Sequence, residues 1–299
     1  MKHIKRGELD KYIVEVPPTH EQMRISRVLS VLDAQIEATE ALIAKQERMR
    51  AGLLQDLFTR GVDEHGTLRP RREEAPHLYH ETELGWLPRG WDIAPIQRSI
   101  LAARAGCSVN SVSRPAYADE AGVLKTSCVA NGWFLSHENK AVEPSEYIRL
   151  REPVALDCIV ISRMNTPDLV GESGLVQAFE GRLFLPDRLW QLHLTPDERP
   201  FWLSRLFQSH SVKERIKALA TGTSGTMKNI EKSKLLSLKI PHPKPDEKDK
   251  FSRSIHAIEA NLGALSKSLE KAIYQKSGLT QDLLTNRVSV DALLESEPA

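Results

Sequence analysis

An internal repeat is the feature that most constrains this chain of 299 residues. Residues 1–62 align without a gap on residues 227–288, at an offset of 226 positions. Met1-Lys2-His3-Ile4 matches Met227-Lys228-Asn229-Ile230, and Leu53-x-Gln55-Asp56-Leu57-x-Thr59 matches Leu279-x-Gln281-Asp282-Leu283-x-Thr285. Two copies so far apart do not make a solenoid, in which each repeat contacts its neighbours. The repeat therefore predicts two matching arms on either side of one central domain.

Both arms carry the pattern of a long helix. Each begins with a short extended stretch that ends in prolines, at residues 13–18 in the first arm and 238–243 in the second. A helix is expected directly after each stretch. Apolar residues then recur at alternating spacings of four and three, which is typical of a coiled coil. The predicted interface residues are Ile25, Leu29, Leu32, Ile36, Ile43, Leu53 and Leu57 in the first arm, and Phe251, Ile255, Ile258, Leu262, Leu265, Leu269, Leu279 and Leu283 in the second.

The direction of the two helices predicts how they pair. A helix over about 19–60 runs towards the central domain, and one over about 246–286 runs away from it, so pairing within one chain is antiparallel. The first helix would be roughly 60 Å long, longer than an ordinary domain needs. The alternative is two amphipathic helices that close an ordinary core. Polar residues interrupt the apolar pattern at Gln46, Arg50 and Lys276, where they could set the register or contact a further subunit.

Composition bounds the class of protein without identifying it. The formal net charge is +1, from 41 basic and 40 acidic residues, which neither favours nor excludes nucleic-acid binding. Cys107, Cys128 and Cys158 are odd in number and lack metal-site spacing, so we interpret them as reduced thiols. The sequence has no signal peptide and no apolar run of membrane-spanning length, so we expect a cytoplasmic protein.

The central domain reads as strand-rich. Short β-like runs alternate with turns between residues 81 and 229, and the same range contains one helical pattern at 201–219. The predicted fold class is α+β, with one strand-rich domain on a stalk of two long helices forming an antiparallel coiled coil. The predicted boundaries are 1–60 for the first arm, 61–80 for a linker, 81–229 for the central domain, 230–288 for the second arm and 289–299 for a tail.

Sequence signatures of catalysis are missing. The chain contains no phosphate-binding loop, no dinucleotide fingerprint, no H-E-x-x-H or C-x-x-C motif, and no Asn/Asp-Pro-Pro-aromatic methyltransferase motif. His193 lies in a β-like run, where a structural role is the more common one. These absences favour a recognition or assembly subunit over an enzyme.

Several motifs, taken in order, resemble one known family. The run Val16-Pro17-Pro18-Thr19-His20-Glu21-Gln22 leads into Leu32-Asp33-x-x-Ile36 and then Leu53-Leu54-Gln55-Asp56-Leu57-Phe58-Thr59. This run resembles the conserved helical region of Type I restriction–modification specificity subunits. Leu84-Gly85-Trp86-Leu87-Pro88-x-Gly90-Trp91, Ile159-x-Ile161-Ser162-Arg163, Leu169-Val170-Gly171 and Gly222-Thr223-Ser224 resemble the target recognition domain of that family.

The resemblance implies a DNA-binding subunit that is not itself catalytic. In that family each recognition domain reads half of a split target in double-stranded DNA, and the paired helices dock two adenine methyltransferase subunits. The chain would bind no cofactor, since S-adenosylmethionine belongs to the methyltransferase subunits and ATP and Mg to the restriction subunits.

This chain departs from the family's layout because it has two helical arms and one recognition domain. Three explanations are open: a homodimer, a pair with a separately encoded half, or a silent recombination cassette. The homodimer is favoured because unpaired helix ends would expose apolar residues such as Ile25 and Phe251. A coiled-coil scaffold or decoy that binds methyltransferase subunits without reading DNA is the rival interpretation.

Polar residues in the loops of the central domain are the candidate DNA contacts, because side chains that reach base edges read sequence while phosphate contacts position the protein. For base reading the candidates are Lys125, Ser127, Asn131, Arg163 and Asn165. For phosphate contacts they are Arg104, Arg114, Ser224, Thr226 and Lys228. Taken singly, each could instead be a solvated turn residue.

Overall fold

The computed structural model describes residues 16–130, 132–222, 227–285 and 287–290. The fold mixes helices with short strands, which confirms the predicted α+β class. The described residues form two compact units: a helical unit of residues 16–50 with 257–290, and a sheet unit of residues 51–256, with the gaps given above. In the described parts of the chain, no helix has the length and apolar character needed to cross a membrane.

Two long helices dominate the chain, α1 from Thr19 to Arg60 and α5 from Pro245 to Leu284. Residues 19–50 and 257–284 of these helices form most of the described helical unit. Ile25 packs with Leu283 at one end, and Arg50 Nε lies 2.9 Å from Glu259 Oε1 at the other. Low residue numbers therefore face high ones, so the two helices are antiparallel.

Two of the three polar residues of the heptad pattern, Arg50 and Lys276, are paired across the helices. Besides the Arg50–Glu259 contact, Lys276 forms an ion pair with Asp33. Each cation thus meets an acid from the other helix, so these pairs fix how far one helix is shifted along its partner.

Within the described residues, the strands and three shorter α-helices all lie in the sheet unit. The strands are β1 Tyr79–Thr82, β2 Gly85–Pro88, β3 Asp92–Pro95, β4 Ile100–Arg104, β5 Ser111–Val112, β6 Ala121–Leu124, β7 Val129–Ala130, β8 Gly132–Phe134, β9 Asn139–Val142, β10 Ile159–Ser162, β11 Met164–Asn165, β12 Ser173–Leu175, β13 Arg182–Phe184, β14 Leu189–Leu194, β15 Lys228–Asn229 and β16 Lys239–His242. The helices are α2 Pro200–Gln208, α3 His210–Ala218 and α4 Lys232–Ser237.

A six-stranded sheet in the order β4-β14-β10-β12-β8-β7 forms the centre of this unit. A four-stranded sheet, β13-β6-β9-β5, and three two-stranded pairs, β1-β2, β11-β15 and β16-β3, accompany it. The apolar run Ile159-Val160-Ile161 is fully buried, with Ile159 and Ile161 in one core cluster and Val160 in another. Both faces of the central sheet are therefore covered, as an unbroken apolar strand predicts.

The sheet unit is wider than the predicted central domain of residues 81–229. Ile230, Leu235 and Ile240 are at most 1% exposed and belong to the main core, so the start of the predicted second arm completes this unit. On the other side, Val62 is buried in the same core, so residues 61–80 are not a free linker.

Four residues predicted for the coiled coil also lie in the sheet unit. Leu57, Phe251 and Ile255 are buried in its main core, and Leu53 packs against that core. The Phe251 ring lies 4.6 Å from the ring of Phe58. The apolar pattern of both arms therefore serves two packing environments, which heptad spacing alone does not distinguish.

The single helix predicted over 201–219 is wrong in one respect, because two helices meet there at Ser209. The backbone of Ser209 is extended, with φ −61° and ψ 138°, and its hydroxyl donates to the Leu206 carbonyl at 2.7 Å. The local side-chain bond competes with the helical ladder, and this allows the chain to turn without a proline or glycine signal.

A buried charge cluster lies where α5 begins. Lys248 Nζ lies 2.6 and 2.8 Å from the two carboxylate oxygens of Glu198, and Ser99 donates to the same carboxylate at 2.5 Å. Burial alone would raise the pKa of Glu198, yet hydrogen bonds from His242, Lys248 and Ser99 lower this pKa to about 2. Glu198 is therefore ionised in the folded protein.

Candidate nucleic-acid interface

A short ribbon brings together three of the predicted contact residues. β11 pairs with β15 so that Asn165 lies opposite Lys228 and Met164 lies opposite Asn229. Arg163 immediately precedes β11, and its carbonyl accepts a hydrogen bond from Ile230 N at 2.8 Å. Residues 65 positions apart in sequence thus form one polar surface element.

The side chains of the ribbon are partly committed to the protein itself. Asn165 Nδ2 donates to Ser162 Oγ at 3.2 Å, and Asn165 Oδ1 accepts from Thr166 N at 2.9 Å. Lys228 Nζ donates to the Gly222 carbonyl at 3.1 Å. Asn165 therefore braces its own turn and keeps one amide hydrogen and one lone pair for a ligand, whereas the partly exposed Lys228 keeps two ammonium hydrogens.

Arg163 is held by an aromatic ring. Its guanidinium lies 5.5 Å from the centre of the Trp190 ring, and Trp190 is buried in the central sheet. Arg163 Nε is buried without a hydrogen-bond partner in the described residues. A cation stacked on a fixed ring has few accessible rotamers, which suits a side chain that must present a planar fork in one orientation.

Lys125 and Ser127 lie elsewhere and share one acidic partner. Ser127 Oγ donates to Glu138 Oε2 at 2.5 Å, and Lys125 Nζ lies 3.3 Å from the same oxygen. The hydrogen bond from Ser127 is the largest cause that lowers the pKa of Glu138. As placed here, both residues tie the segment that follows β6 to the residue that precedes β9.

The two arginines predicted to contact phosphate differ in how strongly their guanidinium groups are already bound by acidic side chains of the protein. Both terminal nitrogens of Arg114 bind Glu120, at 2.6 and 2.7 Å, and Arg114 stacks on the exposed Tyr117. The bidentate hydrogen bond from Arg114 lowers the pKa of Glu120 to about 2. Arg104 has a 64% exposed side chain and only a 4.0 Å contact with Glu152, so Arg104 is the freer of the two. Asn131, Ser224 and Thr226 lie outside the described residues.

Trp133 is a candidate contact that sequence reasoning missed. It is 41% exposed on β8, and the buried guanidinium of Arg205 lies 5.0 Å from its ring. Arg205 also donates to the Gly132 carbonyl at 3.2 Å, so the ring is supported from the protein interior. Nothing in the sequence pairs this tryptophan with a cation 72 residues later.

One cluster resembles a catalytic triad in its order of groups. Cys158 Sγ lies 3.4 Å from His193 Nδ1, and His193 Nε2 lies 2.5 Å from Glu152 Oε1. Burial raises the pKa of the Cys158 thiol to about 11, and Cys158 is only 5% exposed. A protonated, covered thiol is a poor nucleophile, so the cluster braces the sheet. No group of three or more potential metal ligands occurs among the residues that the structure describes.

Comparisons with known proteins identify the relatives of this chain, although no protein-family model matches it. It is 22% identical over 300 aligned residues to the specificity subunit of the Type I restriction enzyme MjaVIII from Methanocaldococcus jannaschii, covering 97% of this chain and 65% of the relative. It is 24% identical to the specificity subunit of the Type I restriction enzyme EcoKI from Escherichia coli, covering 95% of this chain and 58% of the relative.

Its homologues are specificity subunits of Type I restriction enzymes. The chain spans about three-fifths of the length of these curated relatives. The crystal structure of the S subunit of a Type I restriction–modification system from M. genitalium has the same fold over 89% of this chain and 61% of its own, with a TM-score of 0.55 and 16% identity. A structure of a Type I system described for its complex assembly and conformational transition covers 94% of this chain and 63% of its own, with a TM-score of 0.50 and 14% identity.

Proposed function

We propose that this chain is the DNA-specificity subunit of a Type I restriction–modification complex and directs adenine methyltransferase subunits, and restriction subunits, to a DNA target. Similarity to specificity subunits over almost the whole chain is the observation that carries the proposal. In this function the chain performs no chemistry. S-adenosylmethionine, ATP and Mg belong to its partners, and the ribbon with Arg163, Asn165 and Lys228 contributes to reading DNA.

Two copies of the chain acting on a split site are the second part of the proposal. The repeat relates Ile25 to Phe251 and Leu29 to Ile255, and it relates Leu283 to Leu57 and Leu284 to Phe58. In the sheet unit Phe251, Ile255, Leu57 and Phe58 are all buried in the main core. Among the described residues of the helical unit, no sheet packs on their equivalents.

The apolar residues at that end of the helical unit form an open groove. A cavity of about 340 Å³ is lined by Ile25, Leu29 and Leu284, and Leu284 is 57% exposed whereas Phe58 is only 7% exposed. The position of Phe58 and Leu284 is thus buried in one copy of the repeat and open in the other, and Leu29 is only partly buried, whereas Ile25 and Leu283 are buried like their equivalents. A second copy of this chain, which carries matching apolar residues, is the occupant that we propose.

Mapping N6-methyladenine tests the function directly. The chain is co-expressed with the methyltransferase encoded beside it in a host that lacks adenine methylation. Methylation at a symmetric split motif supports DNA specificity with two copies per complex, and an asymmetric split motif indicates a different second half. A complex that forms without new methylation contradicts DNA reading and favours the scaffold, decoy or silent-cassette interpretation.

Sedimentation of the purified chain tests the dimer. We expect a dimer at micromolar concentration, a monomer for Leu284→Asp, and a dimer for the control Ile273→Asp, which changes a 49% exposed residue of the same helix outside the groove. A monomeric parent chain, or equal behaviour of the two variants, would contradict the proposed role of the groove.

A further inference from the structure

A surface cavity of about 420 Å³ on the sheet unit is the feature with no assigned role. Its charged lining residues are Arg215 on α3, Lys234 on α4, Lys239 at the start of β16 and Glu83 in the turn between β1 and β2. Leu219 and Leu238 form an apolar part of the cavity wall. Three cations and one carboxylate make this lining electropositive.

The charges in the cavity are unevenly neutralised. Lys239 Nζ binds both oxygens of Glu83, at 2.7 and 3.0 Å, so these two groups cancel. Lys234 has only a 3.5 Å contact with Glu231, between side chains that are 48% and 60% exposed, and such contacts contribute little. Arg215 has no ion pair or hydrogen bond with any residue in the described part of the chain. The cavity therefore keeps about two uncompensated positive charges.

The backbone around these cations is fixed. Ile216, next to Arg215, is fully buried, and so is Leu235, next to Lys234. Lys232 Nζ donates to the Ala103 carbonyl at 2.9 Å, which ties α4 to the end of β4. The backbone from which the two cationic side chains extend is thus set before any ligand binds, so a ligand has only the side chains to order.

The cavity lies close to the ribbon along the chain. From Arg215 the chain follows the end of α3 and continues to Thr221, whose N–H donates to the Asn229 carbonyl at 2.9 Å. Four helical residues and two extended ones span at most roughly 13 Å, which is about four base pairs of rise at about 3.4 Å each. A duplex held at the ribbon would therefore have phosphates within reach of Arg215 and Lys234.

We propose that Arg215 and Lys234 form a phosphate-binding site that holds a phosphodiester of the DNA backbone beside the bases that the ribbon reads. The inference rests on the proposed function and assigns it a positioning contact. An arginine fork and an ammonium group match the two anionic oxygens of a phosphodiester. Such a contact adds affinity and register at every sequence and no base preference.

The salt dependence of DNA binding tests the site. The full chain and its variant Arg215→Gln/Lys234→Gln are titrated with a random-sequence duplex at several salt concentrations. Lys267→Gln/Lys271→Gln removes the same charge from exposed positions of the helical unit and is the matched control. We expect the slope of log affinity against log salt to fall by about 1 in the cavity variant, because one phosphate contact is lost at about 0.9 per contact, and to stay unchanged in the control. Equal slopes in all three proteins, or equal losses in both variants, would overturn the site.

Two further measurements separate the possible failures. Lysine acylation read by mass spectrometry should show that duplex DNA protects Lys234 and leaves Lys267 and Lys271 reactive. If the cavity variant keeps its DNA slope but no longer binds the methyltransferase subunit, the cavity holds an acidic segment of protein and the inference is wrong. If the parent chain binds no DNA, the proposed function fails. Inorganic phosphate then tests the site by itself. A shift of the Arg215 Nε–H resonance on adding phosphate supports the site, and an unchanged resonance overturns it.

Discussion

Arg69 and Glu247 form a two-point ion pair across 178 sequence positions, with Arg69 Nη1 2.5 Å from Glu247 Oε1 and Nη2 3.1 Å from Oε2. Glu247 Oε1 also accepts a hydrogen bond from Val62 N at 2.9 Å. The first turn of α5 is thus joined to the segment that follows α1. Both charged side chains are less than one-fifth exposed, so solvent screens the pair only partly.

Replacing Glu247 by alanine should therefore destabilise the protein. We expect Glu247→Ala to lower the free energy of unfolding by about 1–3 kcal/mol, because the variant loses charge-assisted hydrogen bonds and leaves Arg69 and Val62 N without their acceptor. Urea denaturation followed by circular dichroism measures the change. Glu21 occupies the same place in the repeat and has no ion-pair partner among the described residues, so Glu21→Ala is the control and should change little. Similar losses in both variants would contradict this account.

Glu198 should make the protein sensitive to acid. Its pKa is about 2 in the folded protein and near 4.5 in the unfolded chain, so its contribution to stability is fully present above about pH 4.5 and is lost as pH falls towards 2. Glu198→Gln removes that contribution and leaves Lys248 buried without its counter-ion. We expect a loss on the order of 3 kcal/mol at pH 7 and a flatter pH dependence between 4.5 and 2.

Urea midpoints from pH 2 to pH 7 test this expectation. Glu120→Gln is the matched control, because the pKa of Glu120 is also lowered to about 2 but its partner Arg114 lies in an exposed loop. The control should change stability little. An unchanged acid dependence in Glu198→Gln would show that another group governs the acid sensitivity.

The three cysteines should differ in reactivity. Burial raises the pKa of Cys128 far above its usual range and the pKa of Cys158 to about 11, so both thiols stay protonated at pH 8. Cys107 is only partly buried. Brief iodoacetamide treatment of the folded protein, read by mass spectrometry, should modify Cys107 well before the other two. Fast modification of Cys158 would instead indicate that the Cys158–His193–Glu152 cluster holds a reactive thiolate.

Arg163→Ala should weaken specific DNA binding by about 1–3 kcal/mol and relax the methylated motif at one position. The physical reason is the loss of a planar donor that Trp190 holds in place. Arg163→Lys keeps the charge and loses the fork, so it should retain non-specific affinity and still relax the motif. If affinity and motif survive the alanine change, Arg163 does not read a base.

The heptad spacing and the prolines predicted where the two long helices lie and that they run in opposite directions, because these signals depend only on neighbouring residues. The same spacing did not show that Leu57 and Phe251 belong to the core of the sheet unit. The reach of that unit to Ile240 also escaped prediction, because burial there depends on partners more than 100 residues away. Polarity and position in a turn indicate candidate DNA contacts, but the hydrogen bonds that commit Asn165, Lys125 and Arg114 to the protein have no signature in sequence.

Gly61 marks a difference between the two repeated arms. It ends α1 with φ +63°, and a β-carbon there would lie 2.3 Å from both Arg69 Nη1 and Glu247 Oε1. Any side chain at this position would force the two charged groups apart. The repeat places Arg287 at the equivalent position of the second arm. The two helices share one repeat but are therefore not interchangeable. The close packing that follows α1 requires glycine at position 61, and an arginine there, as in the second arm, would not fit. An exchange of the two arms would have to keep this glycine at the end of the first helix.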